Sequence, residues 1–437
     1  MRIEDLGRDR TGGLESVGAT IVWEDSAQDP QHVHFSTSPE FADGLVCNPN
    51  AFLLASVIPA MQKGERRVRV EGRVCPKLRN GLVTAMQILR EWYGDAGHSP
   101  VEVEATEGFS PPLKTTPPRI ASFMSGGADS LATVRCNRMD FLLEHPESIR
   151  DCIFVHGFDL GGYEAFDKQY ENYEFIFQNM LPMASDAQLN LIPVYTNLRF
   201  LEKGASPYDN RLFTMESHGA AMAAVAHAFS ARLSSGMIAS TNSIPELAPL
   251  GSHPVLDPNF SSAEIDMQHD GARFERLQKV EIVANWPSGF RILRACQNPL
   301  LPVGVLNCGE CEKCTRTMTE LLVLGKLKEA VTYPCEDMSA LQIRRLRAPD
   351  KVDPARPYAL LSDATYNHWK ALTRHLSPLG RGDLIEAIEE VLADYGRYRA
   401  SVEERDWKGV VKRTDRQYLG GNLRKLSRRI KGIRRGR

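Results

Sequence analysis

Residues 120 to 130 read IASFMSGGADS, which places a Ser-Gly-Gly-x-Asp-Ser loop directly after a mostly apolar run. Ile120, Ala121, Phe123 and Met124 have the character of a parallel strand buried on both faces. Gly126 and Gly127 then let the backbone turn tightly and approach a ligand with no Cβ in the way. From Asp129 the chain runs SLATVRCNRMDFLLEH, with apolar residues at helical spacing. The turn is therefore expected to deliver the chain to a helix N-terminus, where unpaired N–H groups and the helix dipole favour an anion. Phosphate binding is the chemistry this pattern suits. The loop lacks a Lys followed by Ser or Thr, so it is not a G-x-x-x-x-G-K-[ST] loop.

A second set of reactive side chains lies downstream. Cys296, Cys308, Cys311 and Cys314 are spaced C-x11-C-x2-C-x2-C within RACQNPLLPVGVLNCGECEKC. Four thiols make a full tetrahedral zinc shell, and the two-residue gaps let successive sulfurs converge on one ion. Gly309 supplies the flexibility for the knuckle between Cys308 and Cys311. With four protein ligands the site is expected to be closed and structural. A redox dithiol or an iron–sulfur cluster is the other reading of these thiols. Cys47, Cys75, Cys136, Cys152 and Cys335 are scattered and read as packing residues.

The elements that must position these groups alternate in the manner of an α/β sheet from Arg119 onward. CIFVHGFD, LIPVYTN and GMIAST are strand candidates, separated by helical stretches around AFDKQYENYEFIFQNML and TMESHGAAMAAVAHAFSARL. Parallel strands place the ligand crevice at their carboxyl ends, which here means the loops after Met124, Phe158 and Ala239. His156, Gly157 and Asp159 end one strand, and Ser240, Thr241 and Asn242 end another. Glu216 and His218 begin a helix near the crevice and suit substrate or ribose contact, whereas His227 reads as a buried helix residue. The polar stretch from Ser240 to Val280 is long enough to close over a substrate with Gly251-Ser252-His253-Pro254 and Asp257-Pro258-Asn259. His269, Asp270, Arg273 and Arg276 are expected to open a helix there. Arg273, Arg276 and Lys279 could offset charge on phosphates; a solvated face that pairs Glu275 with Lys279 is the alternative.

The loop resembles the signature of the PP-loop ATP pyrophosphatases. An SGGxDS loop followed by one Cys and then C-x2-C-x2-C resembles, within that superfamily, the 7-cyano-7-deazaguanine synthases, the QueC family, over roughly residues 119 to 324. The resemblance implies a parallel-sheet domain of the adenine nucleotide alpha hydrolase type, with ATP, Mg2+ and Zn2+ as cofactors. It implies that Ser125, Gly126, Gly127, Asp129 and Ser130 bind ATP, with His156 and Asp159 on the adenosine side. Asp129, Ser130 and Arg273 are then the expected catalytic residues, and Cys296, Cys308, Cys311 and Cys314 the zinc ligands. The implied reaction cleaves ATP to AMP and pyrophosphate and activates a carboxylate or amide of a small molecule, such as a 7-deazaguanine, for attack by ammonia or an amine. Three alternatives remain open: attachment of a deazaguanine to a partner protein in a bacterial defence system, tRNA thiolation, and a non-catalytic ATP-binding scaffold.

The chain has 437 residues, 42% of them hydrophobic, and a formal net charge of −2, so the molecule as a whole is not built as a nucleic-acid binder. No apolar leader opens the sequence and no run approaches the length of a membrane span, so a cytoplasmic protein is expected. Residues 1 to 110 read as an α+β accessory domain from TIVWE, VHFST, RRVRVEGRV, VEVEA and two helical stretches. That domain is a candidate surface for a partner protein. The Pro-rich segment 111–118 reads as a linker, 119–330 as the nucleotide domain, 331–421 as a helical extension and 422–437 as a basic tail. The tail NLRKLSRRIKGIRRGR holds eight Lys or Arg and is a candidate RNA contact. A homodimer is open.

Overall fold

Among the described residues ten strands join in one sheet. β1 (Arg2–Thr11), β2 (Leu14–Val22) and β3 (Gln31–Thr37) form an antiparallel meander, and Ile3, Val17, Ala19, Ile21, Val33 and Phe35 are its buried hydrophobic residues. α1 (Pro49–Lys63) follows, capped by the Asn48 side chain and ended by Gly64 at φ +77°. Every residue of α1 from Asn50 to Met61 is buried, as expected of a helix apolar all round. β4 (Arg67–Val70), α2 (Pro76–Tyr93) and β5 (Glu102–Ala105) complete the first part.

The second part opens with β6 (Ile120–Phe123), whose four residues are all buried, then α3 (Ala128–Asp140) and β7 (Ile149–His156). α4 (Phe166–Asp186), β8 (Asn190–Thr196), α5 (His218–Ala228) and β9 (Ser235–Ala239) continue the alternation. β10 (Asp266–Asp270), α6 (Arg276–Ala284) and the short α7 (Pro287–Phe290) follow. The sheet order is β10-β9-β6-β7-β8-β3-β2-β1-β4-β5. The strands from β6 to β10 are parallel, and β6 is the first of them in sequence. The chain winds from it in one direction through β7 and β8, then in the other through β9 and β10. The point of reversal lies between β6 and β9, where open α/β sheets leave a crevice at the carboxyl ends of the strands.

This computed structural model describes residues 1–405 other than 95–96, 112–117, 159, 161–165, 203–211, 297, 299–300 and 352–358. Asp159, most of the 111–118 linker and the basic tail 422–437 lie outside the described residues. The strands of residues 1–110 do not stand apart from those after Arg119. β3 pairs antiparallel with β8, Phe35 opposite Thr196 and Thr37 opposite Val194. The Thr37 hydroxyl donates to Pro193 O at 2.7 Å.

The chain divides into two compact units, Met1–Cys308 with Lys326–Glu336, and Gly309–Gly325 with Asp337–Arg437. In the second, α8 (Glu312–Val323), α9 (Ala340–Arg344), α10 (Asp363–Leu376) and α11 (Gly382–Arg405) form a helical bundle. Trp369 is fully buried there and its indole N–H donates to Glu312 Oε1 at 2.9 Å. The same carboxylate accepts from Arg316 at 2.9 Å, so the buried charge is paired. Among the described residues no helix is long and apolar enough to cross a membrane.

Candidate functional site

The buried strand β6 ends at Phe123, and Met124 N still donates to Ile153 O at 2.9 Å. The chain then reverses at Gly126, which adopts φ +74°, a conformation that favours glycine. Gly127 is the N-cap of α3 and provides no side-chain cap. The first N–H groups of a 13-residue helix therefore have no side-chain acceptor there. Ser130 is buried, and its hydroxyl donates to Gly127 O at 3.1 Å and accepts from Ser125 N at 3.3 Å. It locks the turn from inside. The Ser125 hydroxyl accepts from Gly127 N at 3.2 Å and its residue is exposed.

Asp129 lies in the first turn of α3 and meets two cations. Arg276 Nη1 stands 3.3 Å and Lys279 Nζ 3.4 Å from its carboxylate. Both cations come from α6, whose start is fixed by a capping box between Glu275 and Gln278. Glu275 is thus the cap of this helix rather than the partner of Lys279. The i, i+3 spacing puts Arg276 and Lys279 on one face toward α3. Lys279 is 1% exposed and donates to Ser240 O at 2.5 Å, which ties α6 to the loop after β9. Burial pushes its ammonium below the ordinary lysine range, and the Asp129 charge opposes that shift. Two cations and a helix N-terminus surround the Asp129 carboxylate, and Asp270 brings a second negative charge to bear on Lys279.

Of the residues expected to act here, the structure brings together Ser125, Gly126, Gly127, Asp129, Ser130, Arg276 and Lys279. Arg273 is elsewhere: its guanidinium is exposed, 3.5 Å from Asp140 at the far end of α3, with its Cζ 4.7 Å from the Phe274 ring centroid. His269 and Asp270 belong to strand β10, not to the helix expected there. Gly271, at φ +84°, breaks the segment between them and α6. Asp270 accepts from the Thr133 hydroxyl of α3 at 2.7 Å. Ser240 is buried, and its hydroxyl donates to Asn242 O at 2.7 Å.

His156 ends β7 at 1% exposure, with ring centroids of Tyr173 and Tyr195 5.2 and 5.9 Å away. Burial lowers its pKa to about 4, so the imidazole is neutral. Gly157 follows at φ +112°, and a Cβ there would stand 1.9 Å from Thr196 O. His227 is fully buried in α5 and its Nδ1 pairs with Ala223 O at 2.8 Å.

On the α5 side of the sheet the candidates Glu216, Ser252, Asp257 and His269 find partners, and of those partners His98 and Gln62 are the ones the sequence reading did not name. Phe213–Ser217 is a π-helical turn entering α5. Its Glu216 meets His98 Nε2 at 2.8 Å and also the Gln62 amide, both from the first 110 residues. Asp257, fully buried, pairs with His269 Nδ1 and the Ser252 hydroxyl, each at 2.7 Å. The 247–255 loop and α2 enclose a groove of about 530 Å³ with Trp92 and His253 in its wall. Tertiary pairing unites these groups, so local spacing did not announce which of them would meet.

The four cysteines expected to hold metal do cluster: the Sγ atoms of Cys296, Cys308, Cys311 and Cys314 all lie within 4.8 Å of one another. Tetrahedral zinc with Zn–S near 2.3 Å needs sulfurs separated by about 3.8 Å, so small side-chain adjustments close the shell. The donor set fits a soft or borderline divalent ion such as zinc. Cys152 shows the contrast: it is fully buried in β7 and burial pushes its thiol up to about 12, an inert packing residue. No protein-family model matches the chain, and neither the curated proteins nor the solved structures include a match to it.

Proposed function

We propose that the protein is an ATP-dependent adenylating enzyme of the PP-loop type, resembling the QueC family. The observation that carries this reading is the glycine turn of residues 125–127, seated at the point where the parallel sheet reverses its winding and faced by Arg276 and the buried Lys279. Uncapped N–H groups of α3 suit the phosphates of a nucleotide. Asp129 is the carboxylate of this turn that would hold Mg2+, which would supply charge neutralisation at the phosphates.

In the reaction, an oxygen of the acceptor carboxylate or amide attacks the α-phosphorus of ATP. The bond from that phosphorus to the bridging oxygen breaks, and pyrophosphate leaves with the electron pair. Ammonia or an amine then displaces AMP and forms the C–N bond. Arg276 and Lys279 oppose the charge that builds on the phosphoryl oxygens, in a site where burial strengthens the interaction. The four-cysteine cluster, with zinc bound, would be a structural centre, and no step passes through it. A 7-deazaguanine is the acceptor class the resemblance favours.

The test is the fate of α-labelled ATP with magnesium and a bacterial metabolite extract, in wild type and Asp129→Ala. Labelled AMP, with pyrophosphate released, formed by wild type and not by the variant is the expected result. ADP as product, or equal turnover by both proteins, would overturn the reading.

A further inference from the structure

We propose that Arg294 is a phosphate ligand of the glycine turn, a role that rests on the nucleotide-binding reading above. Its backbone N–H donates to Gly126 O at 2.8 Å. A Cβ placed on Gly126 would lie 3.6 Å from Arg294 Cβ, and one on Gly127 would lie 3.6 Å from Arg294 O. The segment that carries Arg294 therefore runs alongside both glycines of the turn.

That segment is held rigidly from its other side. The buried Asn307 side chain accepts from Ala295 N at 2.8 Å and Cys296 N at 3.1 Å, and donates to Leu293 O at 2.9 Å and Thr332 O at 3.2 Å. One amide thus fixes the main chain on both sides of Arg294, while Gly126 fixes residue 294 itself. The guanidinium is fixed by nothing comparable. Its Nε is buried without a hydrogen-bond partner, and among the described residues no carboxylate pairs with it. Arg2 and Arg199 also bury an Nε without a hydrogen-bond partner, but each faces a carboxylate, Glu24 and Glu202, as Arg276 faces Asp129 and Arg119 and Arg232 share Asp151.

A buried guanidinium donor left unpaired costs free energy, and native structures accept that cost where a ligand completes the site. The ligand that suits a permanently charged planar fork beside a helix N-terminus is a phosphoryl oxygen. Arg294 would then act from the segment that borders Gly126 and Gly127, and would add a third cation to Arg276 and Lys279 at the nucleotide's phosphates. Because the backbone of residue 294 makes the contact to Gly126, a side-chain substitution leaves the turn itself intact.

Calorimetric titration of ATP with magnesium, and of inorganic pyrophosphate, into wild type, Arg294→Ala and Arg294→Lys tests this. Removal of one charge-assisted phosphate contact is expected to weaken both ligands about tenfold or more in Arg294→Ala, with Arg294→Lys between it and wild type. Melting temperature without ligand and metal content per chain are expected to match wild type. Equal affinity of Arg294→Ala and wild type overturns the role of Arg294 and leaves the nucleotide reading standing. Absence of ATP binding by wild type overturns both. Weakened binding accompanied by loss of metal or a lowered melting temperature assigns Arg294 to the scaffold and likewise overturns the inference.

Discussion

Lys279 concentrates the electrostatics of the crevice. An ammonium 1% exposed is tolerated because Asp129 and Ser240 O both face it. Removing its charge in Lys279→Met leaves Arg276 alone opposite Asp129, and the proposed adenylation is expected to fall by about 10²-fold, the usual cost of losing one preorganised electrostatic group. Turnover of labelled ATP reads this directly, and a rate within threefold or so of wild type would remove Lys279 from the machinery. A second acid offers a cleaner pH experiment. Glu202 is buried, accepts from the Ser217 hydroxyl, and burial pushes it up to about 7 from an ordinary 4.5. Between those values the native state holds a proton that the unfolded chain has released, so this group's contribution to stability declines as pH rises toward 7. Glu202→Gln keeps an acceptor for Ser217 without the titration. Its stability relative to wild type is expected to rise between pH 5 and pH 8 by on the order of 3 kcal/mol at most. Denaturant unfolding at the two pH values checks it, and a difference independent of pH would show that Glu202 is ionised throughout.

At the scale of elements, the turn between β6 and α3 was legible because strand, glycines and helix each leave a local signal. Four buried apolar residues precede two glycines, and one of those takes a positive φ. β1 and β10 left no such signal. RIEDLGRDRT alternates charge rather than hydrophobicity and kinks at Asp5, at φ +56°, and DMQHD buries only Met267 fully in an edge strand. The expectation for Arg273 fails for the same reason: with a helix read as opening at His269 and Asp270, which belong to β10, its phase relative to Arg276 could not be known. The two glycine turns also predict different costs. Gly126→Ala meets only ordinary contacts, the nearest at 3.6 Å, so it should cost about 1–2 kcal/mol from its left-handed backbone alone. Gly157→Ala would drive a Cβ to 1.9 Å from Thr196 O and should destabilise considerably more. Equal melting temperatures for the two variants would contradict this backbone geometry.

For the whole molecule, the sequence suggested an accessory domain ahead of a nucleotide domain, whereas the strands of both run in one sheet through β3 and β8. Such a pairing joins residues about 160 apart and rests on backbone bonds and hydroxyls such as that of Thr196, which donates to His34 O at 2.7 Å. No short window of sequence encodes it. The same continuity brings His98 and Gln62 to Glu216, so the first 110 residues contribute side chains to the α5 side of the sheet. The cysteine cluster was legible from spacing alone, yet its connection to the glycine turn was not. Cys296 is two residues from Arg294, whose N–H holds Gly126 O, and the buried Asn307 binds the main chain on both sides of that residue. Metal at the cluster should therefore stabilise the glycine turn as well as the cysteine loop. Elemental analysis is expected to find about one zinc per chain. Removing it with a chelator should lower both the melting temperature and the affinity for ATP, and restoring zinc should recover both. If the metal-free protein binds ATP as tightly as the loaded one, the cluster braces only its own loop, and the bond between Arg294 and Gly126 transmits nothing between the two sites.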